Sequence, residues 1–543
     1  MNERNKAASS SPARRRVLRS LGGLGIAGIA GCMGDDDEQN GEGTDDEGSE
    51  SESSTPWDEY ESPAESAWPT SATPGELGLT GRPPADAVTL WDGDAATLDD
   101  WEHGDGSDAQ WIEHDDYFEV DVGTGDIHSR ESVGDCHLHL EWRIPAEYEG
   151  FVDIDEGGDG QGPGNSGVFL METYEVQILQ SHDNPTYPGG YAGGFYLASP
   201  DEGAVPLVLP TRPPGEWNAF DIVWRGPRFD GDELERYPQL TVFFNGVAVV
   251  NHFDVPGPAW WVDLHDFDHE DFGHPRDDDG TFLEEVPVQL QDHGAAYDEC
   301  HFRNIWYRDL PESPVDIDDP DEMPEYDSDR GVWEERDEYS GHEDSWDPDH
   351  PDQPEQIEAG GDGTTGEAPG DADVLIDGEE TLEPGDGGWE SDEAYGDCQV
   401  HVEWQVDADA EAEGPWRGNS GIGLGDYRIQ ILDNYDNPTD PEDWAGAYPG
   451  QAGPELDAVG ESGEWQHLDL VFQAPRDGGD RPAQVTAFLN GAVVQTRLRL
   501  EGPNADGEIG DYEDHGDLPL RFEEPRENGS EVSVRNAWVR SLN

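Results

Sequence analysis

The chain repeats itself. GDCHLHLEWRI from Gly134 recurs as GDCQVHVEWQV from Gly396, and GNSGVFLMETYEVQILQSHDNPT from Gly164 recurs as GNSGIGLGDYRIQILDNYDNPT from Gly418. GEWNAFDIVW from Gly215 answers GEWQHLDLVF from Gly463, and QLTVFFNGVAVV from Gln239 answers QVTAFLNGAVVQ from Gln484. HFRNIWYRDL from His301 answers SVRNAWVRSL from Ser533. The order of the blocks is kept, so the cause is tandem duplication and not composition. Any fold proposed for this chain must therefore occur twice.

Each repeated block has the period of a strand. In HLHLEWR, Leu138, Leu140 and Trp142 point one way and His137, His139, Glu141 and Arg143 the other, the alternation of a half-buried strand. Tyr174, Val176 and Ile178 alternate with Glu175 and Gln177. Asn245-Gly246 is a hairpin turn between apolar runs. No stretch has helical periodicity. Short strands between Gly, Pro, Asn and Asp turns imply an all-β fold, two tandem β-sandwich (jelly-roll) domains of about 200 residues each. The expected boundaries are 85–311 and 371–543, joined by an acidic, proline-rich linker over 312–370.

Charge excludes one class of partner. The formal net charge is -99, and from Cys32 onward 22 basic residues face 126 acidic ones with no lysine. Such a surface repels nucleic acid phosphates. Low apolar content with high charge is the composition of disorder, but 19 Trp, 17 Tyr and 16 Phe require packed cores. Ordered domains coated in acid, with arginine in place of lysine, describe a halophile's protein whose self-repulsion is screened by salt.

The first 32 residues read as an export signal. Arg14-Arg15-Arg16-Val17-Leu18-Arg19 precedes a Gly-rich apolar run from Leu21 to Ala30, too short for a membrane span. The paired arginines resemble a twin-arginine signal, and Ile29-Ala30-Gly31-Cys32 resembles a lipobox with Cys32 as the lipidated residue. Residues 33–84 are an acidic, Ser/Gly-rich tether. The expectation is a monomer anchored by lipid to the outer face of the cell membrane. Cys136, Cys300 and Cys398 remain, an odd number; Cys136 and Cys398 match in the repeat, which suggests small buried residues and no disulfide framework. No cysteine spacing resembles a zinc site.

The blocks from Leu90-Trp91-Asp92-Gly93 to Leu310, including GTGDI, GNSGVF, YEVQIL, GEWN, FNGV, LQDHG and FRNIW, resemble the 3-keto-disaccharide hydrolase domain family. The second copy resembles it in more diverged form. The resemblance implies a concanavalin-like jelly roll acting on sugars oxidised at C3, with cleavage of the glycosidic bond. The rival expectation is a non-catalytic carbohydrate-binding or adhesion module on the same fold.

A C3 ketone makes the C2 proton acidic, so cleavage needs a base near C2, an acid at the leaving oxygen and donors for the enolate. Glu175 and Gln177 share one strand face, about 6.5–7 Å apart, and Glu141 with Arg143 repeats the pairing on another strand. Gln291-Asp292-His293-Gly294 adds an imidazole at a strand end, and Asn165 an amide at a tight turn. The candidate catalytic residues are thus Glu175, His293, Asp292 and Glu141; the candidate binding residues are Gln177, Arg143, Gln291 and Asn165. Plainer readings compete: a Glu141–Arg143 salt bridge, Asn165 and Gly167 as turn formers, Asn245 as hairpin scaffold, Arg303 and Asn304 as ties for the last strand. Asp183-Asn184-Pro185 reads as loop scaffold or a holder of a cation such as Ca²⁺. His265, His269 and His274 lie in an acidic insertion, where solvation is favoured over metal binding. Glu175 and His293 have the least structural need.

The second copy departs at those positions. Arg428 stands where Glu175 stands, and Leu520-Arg521-Phe522-Glu523-Glu524 replaces LQDHG, while Glu403, Asn419, Gln430, Arg535 and Asn536 remain. Catalysis is therefore expected in the first copy alone, with the second binding or supporting.

Overall fold

The computed structural model describes residues 81–146, 160–196, 204–255, 274–311, 355–356, 366–439 and 443–542, apart from short interruptions at 163, 185, 187–189, 232, 277–279, 295–298, 386, 411, 413, 438, 477–481, 505–508, 511–515 and 527–528. The leader, Cys32, the tether through residue 80, His265, His269 and nearly all of the linker lie outside the described residues. The described residues all fall in one compact unit. Among the described residues the regular elements are strands and short 3₁₀ turns, and no helix is long and apolar enough to cross a membrane.

Each copy is a sandwich of two antiparallel sheets. The first copy's eight-stranded back sheet runs Val247–Asp254, Gln239–Phe244, Asn218–Arg225, Cys136–Arg143, His301–Asp309, Phe118–Glu119, Ile112–Glu113, with Val88–Trp91 also on His301–Asp309. Its six-stranded front sheet runs Trp101–His103, Ile127–Val133, Val286–Leu290, Ser166–Leu170, Tyr174–Ile178, Phe195–Tyr196. The second copy has a six-stranded back sheet centred on Cys398–Val406 and a four-stranded front sheet of Trp389–Tyr395, Leu518–Phe522, Ser420–Leu424 and Tyr427–Ile431.

The alternation decides what each strand buries. Leu138, Leu140 and Trp142 meet Tyr174, Val176 and Ile178 across the first core, as the period-2 pattern predicts. Cys136, Cys300 and Cys398 are buried and form no disulfide among the described residues. Asn245 takes φ 51° and Asn490 φ 52°; their amides serve the chain around each hairpin, Asn245 accepting from Ala219 N at 2.9 Å and donating to Pro210 O at 2.8 Å.

The back sheets also bury their outer faces, against each other. Val223, Phe243, Ala248 and Leu310 of the first copy and Val471, Phe488, Val493 and Leu542 of the second form a third core. In the repeat these are four pairs of counterparts. The same patch is therefore used twice, as in a two-fold dimer interface. Phe243 meets its counterpart Phe488 edge to face, centroids 5.1 Å apart at 82°. Polar contacts border the apolar centre: Arg497 pairs with Asp254, and His252 Nε2 lies 2.7 Å from Thr486 Oγ1. Gln399 clamps the first copy's hairpin, accepting from Ala248 N at 2.9 Å and donating to Gly246 O at 2.7 Å.

His274 does not sit in acidic solvation. It is buried against Phe229 and Phe282, and burial pushes its imidazole down to about 4. Asn184 is loop scaffold, donating to Gly160 O at 2.9 Å and Gln180 O at 2.7 Å; Pro185 lies outside the described residues.

Candidate functional site

On the front sheet the residues that alternate away from the core form two rows. Register aligns Tyr196, Glu175, Phe169, Gln289, His128 and Glu102 in the first. Gln177 opposite Gly167 begins the second, and Gln291 continues it, donating from its backbone to Gly167 O at 3.1 Å. Sequence pairing thus brings Glu175, Gln177 and Gln291 together on one surface.

Glu175 and Gln177 are buried, 4% and 3% exposed. Oriented to donate, the Gln177 amide reaches Glu175 Oε1 at 3.1 Å and Ser166 O at 3.0 Å. Asn165 and Gln177 both approach Gln161, at 3.5 and 3.0 Å between side-chain heavy atoms. Gly167 is an extended strand residue and not a turn former. A Cβ there would stand 2.5 Å from Glu175 Oε1 and 2.8 Å from the Phe169 ring, so only glycine leaves the carboxylate its room.

Asp292 organises the neighbouring loop. Its Oδ2 accepts from Gly123 N at 2.7 Å and Gly125 N at 2.8 Å, and its Oδ1 from Gly294 N at 3.0 Å. These bonds explain the GTGDI block and leave Asp292 a scaffold for His293, which is exposed at the rim. Asp126, within GTGDI, was missed from sequence. It accepts from Gln289 Nε2 at 2.7 Å and Asp292 N at 2.8 Å. Burial raises its carboxyl above the ordinary value despite these bonds, the direction that suits a proton donor. Its sequence signal was a carboxylate three residues after the first glycine of GTGDI.

Glu141 and Arg143 lie elsewhere. They point out of the back sheet, with the core of the sandwich between them and Glu175. The cross-strand salt bridge that Glu141 makes is with Arg303, at 2.6 Å, and Glu141 also accepts from Asn304 Nδ2 at 2.9 Å. Asn304 makes this contact from φ 47° at a bulge, so the expected tie for the last strand is real. Burial would raise the Glu141 carboxyl, but His139, Arg303 and Asn304 pull it down to about 2. Arg143 lies 4.4 Å over Trp217 and 5.0 Å over Tyr117, donating from Nε to His301 at 3.2 Å.

Behind Glu141, Asp221 Oδ1 joins His137 Nε2 at 3.0 Å and His139 Nδ1 at 2.8 Å, all fully buried. Burial would lower the His139 imidazole, yet the Asp221 and Glu141 carboxylates raise it to about 9.

The second copy fills its front face with ion pairs. Arg428, at the Glu175 position, pairs with Glu523, at the Gln291 position, and donates to Ser420 O at 2.8 Å. Arg521, at the Gln289 position, pairs with Glu390 at 2.7 Å and Asp426 at 2.8 Å. Gly423 replaces Phe169.

Residues 86–308 and 333–540 each match the family model described as a 3-keto-alpha-glucoside-1,2-lyase-like domain. No curated protein matches the chain. Among solved structures, a candidate glycosyl hydrolase of Parabacteroides distasonis ATCC 8503 is 34% identical, over 47% of this chain and 95% of that one, with a TM-score of 0.37. A second from the same organism is 20% identical over 42% and 94%, TM-score 0.27. An alginate lyase mutant with bound alginate trisaccharide is 13% identical over 34% and 83%, TM-score 0.19.

Proposed function

The chain belongs twice over to the 3-keto-alpha-glucoside-1,2-lyase-like family, and from that premise we propose that its first copy cleaves 3-keto-glycosides. The observation that supports this reading is the front face of that copy. There a buried Glu175 is held beside Gln177, with a glycine opposite to make space and the raised carboxyl of Asp126 just before the Ile127–Val133 strand of the same sheet.

In the proposed reaction Glu175 takes the C2 proton and the electrons form the C1–C2 double bond as the C1–O bond breaks. The leaving oxygen takes a proton from Asp126 or from His293 at the rim, and water then adds to the enone. Gln177, Gln291 and Asn165 supply polar contacts to the sugar. Glu141 and Arg143 take no part, because the sandwich core separates them from Glu175. Purified protein in molar salt, given a 3-keto-glucoside or 3-keto-trehalose, is expected to release a 3-keto-hexose. Binding without release supports the rival reading, a carbohydrate-binding lipoprotein.

Export as a lipoprotein belongs to the same proposal, resting on the twin arginines and the Cys32 motif. Cys32→Ser should leave the exported protein unanchored. Continued membrane association of that variant overturns the anchor.

A further inference from the structure

The second copy's back sheet carries a cluster that the sugar chemistry does not use. His401 and Glu403 are two residues apart on the Cys398–Val406 strand, and Glu403 stands directly opposite His467 on Gln466–Gln473. All three therefore project from one face, and one ligand atom from each lies within 4.8 Å of the others.

The protonation and orientation of His401 are set from behind. Its Nδ1 lies 2.7 Å from Asp469 Oδ1, the carboxylate directly opposite it. Its Nε2 is buried without a hydrogen-bond partner; Glu403 Oε1, at 3.9 Å, is beyond hydrogen-bond reach. A buried imidazole nitrogen without a partner, with a carboxylate fixing the opposite nitrogen, is the arrangement that orients histidine toward a metal.

The first copy shows what makes the difference. His139, Glu141 and Asp221 repeat His401, Glu403 and Asp469, but Ala219 occupies the His467 position. There His139 Nε2 is met by Asn304 Nδ2 at 3.3 Å, and Asp221 is shared with His137. In the second copy Gln399 replaces His137 and turns its amide to the other sandwich, leaving Asp469 to His401 alone.

We propose that His401, Glu403 and His467 form a site for a divalent cation of borderline softness, such as Zn²⁺ or Co²⁺. Two imidazole nitrogens and one carboxylate oxygen are a donor set such ions favour, with a fourth position for water. Metal–ligand distances of about 2.0–2.2 Å require the three atoms to draw together, which the part-exposed His467 can do by side-chain rotation. Binding releases whatever proton His401 Nε2 carries.

The test uses the full chain, stripped with chelator, in molar KCl with millimolar Mg²⁺ to occupy hard carboxylate sites. Titrated Co²⁺ is expected to give visible ligand-field bands that saturate at one equivalent and disappear on adding Zn²⁺. His467→Ala, which copies the residue the first sandwich already tolerates, should abolish the bands while near-ultraviolet circular dichroism is unchanged. Asp469→Asn should weaken Co²⁺ about 10–100-fold. Absence of saturable bands in the parent protein, or identical bands in His467→Ala, overturns the site.

Discussion

The two copies agree more closely behind than in front. Their back sheets repeat the ladder of Glu141, Arg303 and Asn304 as Glu403, Arg535 and Asn536, and they bury counterpart residues against one another. Their front sheets share a register but not a chemistry: Glu175, Gln289 and Gln291 become Arg428, Arg521 and Glu523. The ladder within each back sheet and the apolar contacts between the sandwiches have kept their partners. Charges on the front face of the second copy have become self-satisfied, and a guanidinium tied to Glu523 cannot serve as a base. Duplication has left one face for assembly and another free to diverge.

The sharpest way to break that contrast is activity. Glu175→Gln removes the proposed base and should lower kcat about 10²–10⁴-fold, and His293→Ala, at the rim, should lose activity on the same scale. Arg428→Gln should leave kcat near the parent value. A 3-keto-glycoside release assay on the three full-length variants decides it. Equal losses from Glu175→Gln and Arg428→Gln would assign chemistry to both front faces.

The shared back faces are tested by stability. Phe488 is fully buried and packs on Phe243 and His137. Phe488→Ala should cost about 3–5 kcal/mol in denaturant unfolding, and Phe243→Ala a similar amount. A markedly smaller cost in either would show that the sandwiches hold together without their apolar centre.

Much of this architecture was legible in the sequence, and the failures have physical causes. Alternation in HLHLEWR and YEVQIL fixed which side chains face the core, because a strand's period is two and its interior must be apolar. Alternation does not say which sheet a strand joins, so Glu141 and Glu175 both stood as candidate catalytic residues although they point out of opposite sheets. The signal for back-to-back packing was present in Ile222-Val223-Trp224 and Phe243-Phe244: strands apolar on both faces are buried on both faces. Asp292 looked catalytic because two of its three backbone donors, Gly123 and Gly125, lie in a loop that only folding brings near. His467 was invisible as a ligand because its partners lie more than 60 residues away, joined by register and not by spacing.

A third, smaller effect concerns pH. The folded pKa of His139 is raised to about 9 from an ordinary 6.5. The stabilisation from its protonated contact with Asp221 is therefore fully present below about 6.5 and is lost as pH rises through 9. With a tenfold change in proton affinity worth about 1.4 kcal/mol, the loss is on the order of 3 kcal/mol. Denaturant midpoints should fall between pH 6.5 and 9 in the parent protein and fall less in His139→Gln. A flat profile in the parent would mean that the buried pair contributes nothing through its charge.

The smallest expected effect lies on the second front face. Arg521 is 42% exposed, and its partners Glu390 and Asp426 are 52% and 56% exposed. Exposed ion pairs are worth about 0–1 kcal/mol, because solvent weakens the attraction and ordering two long side chains opposes it. Molar salt shortens the screening length to about 3 Å, close to the pair distance itself. Arg521→Gln should therefore destabilise by less than about 1 kcal/mol in dilute buffer and by nothing measurable in molar salt. Paired denaturation curves at the two salt concentrations give the stability half of the answer, and saccharide binding by the same variant gives the other half. If Arg521→Gln leaves stability alone but weakens saccharide binding in molar salt, the second front face is a working surface. The contrast between the copies would then be one of two different sugar sites, not of a site and its satisfied remnant.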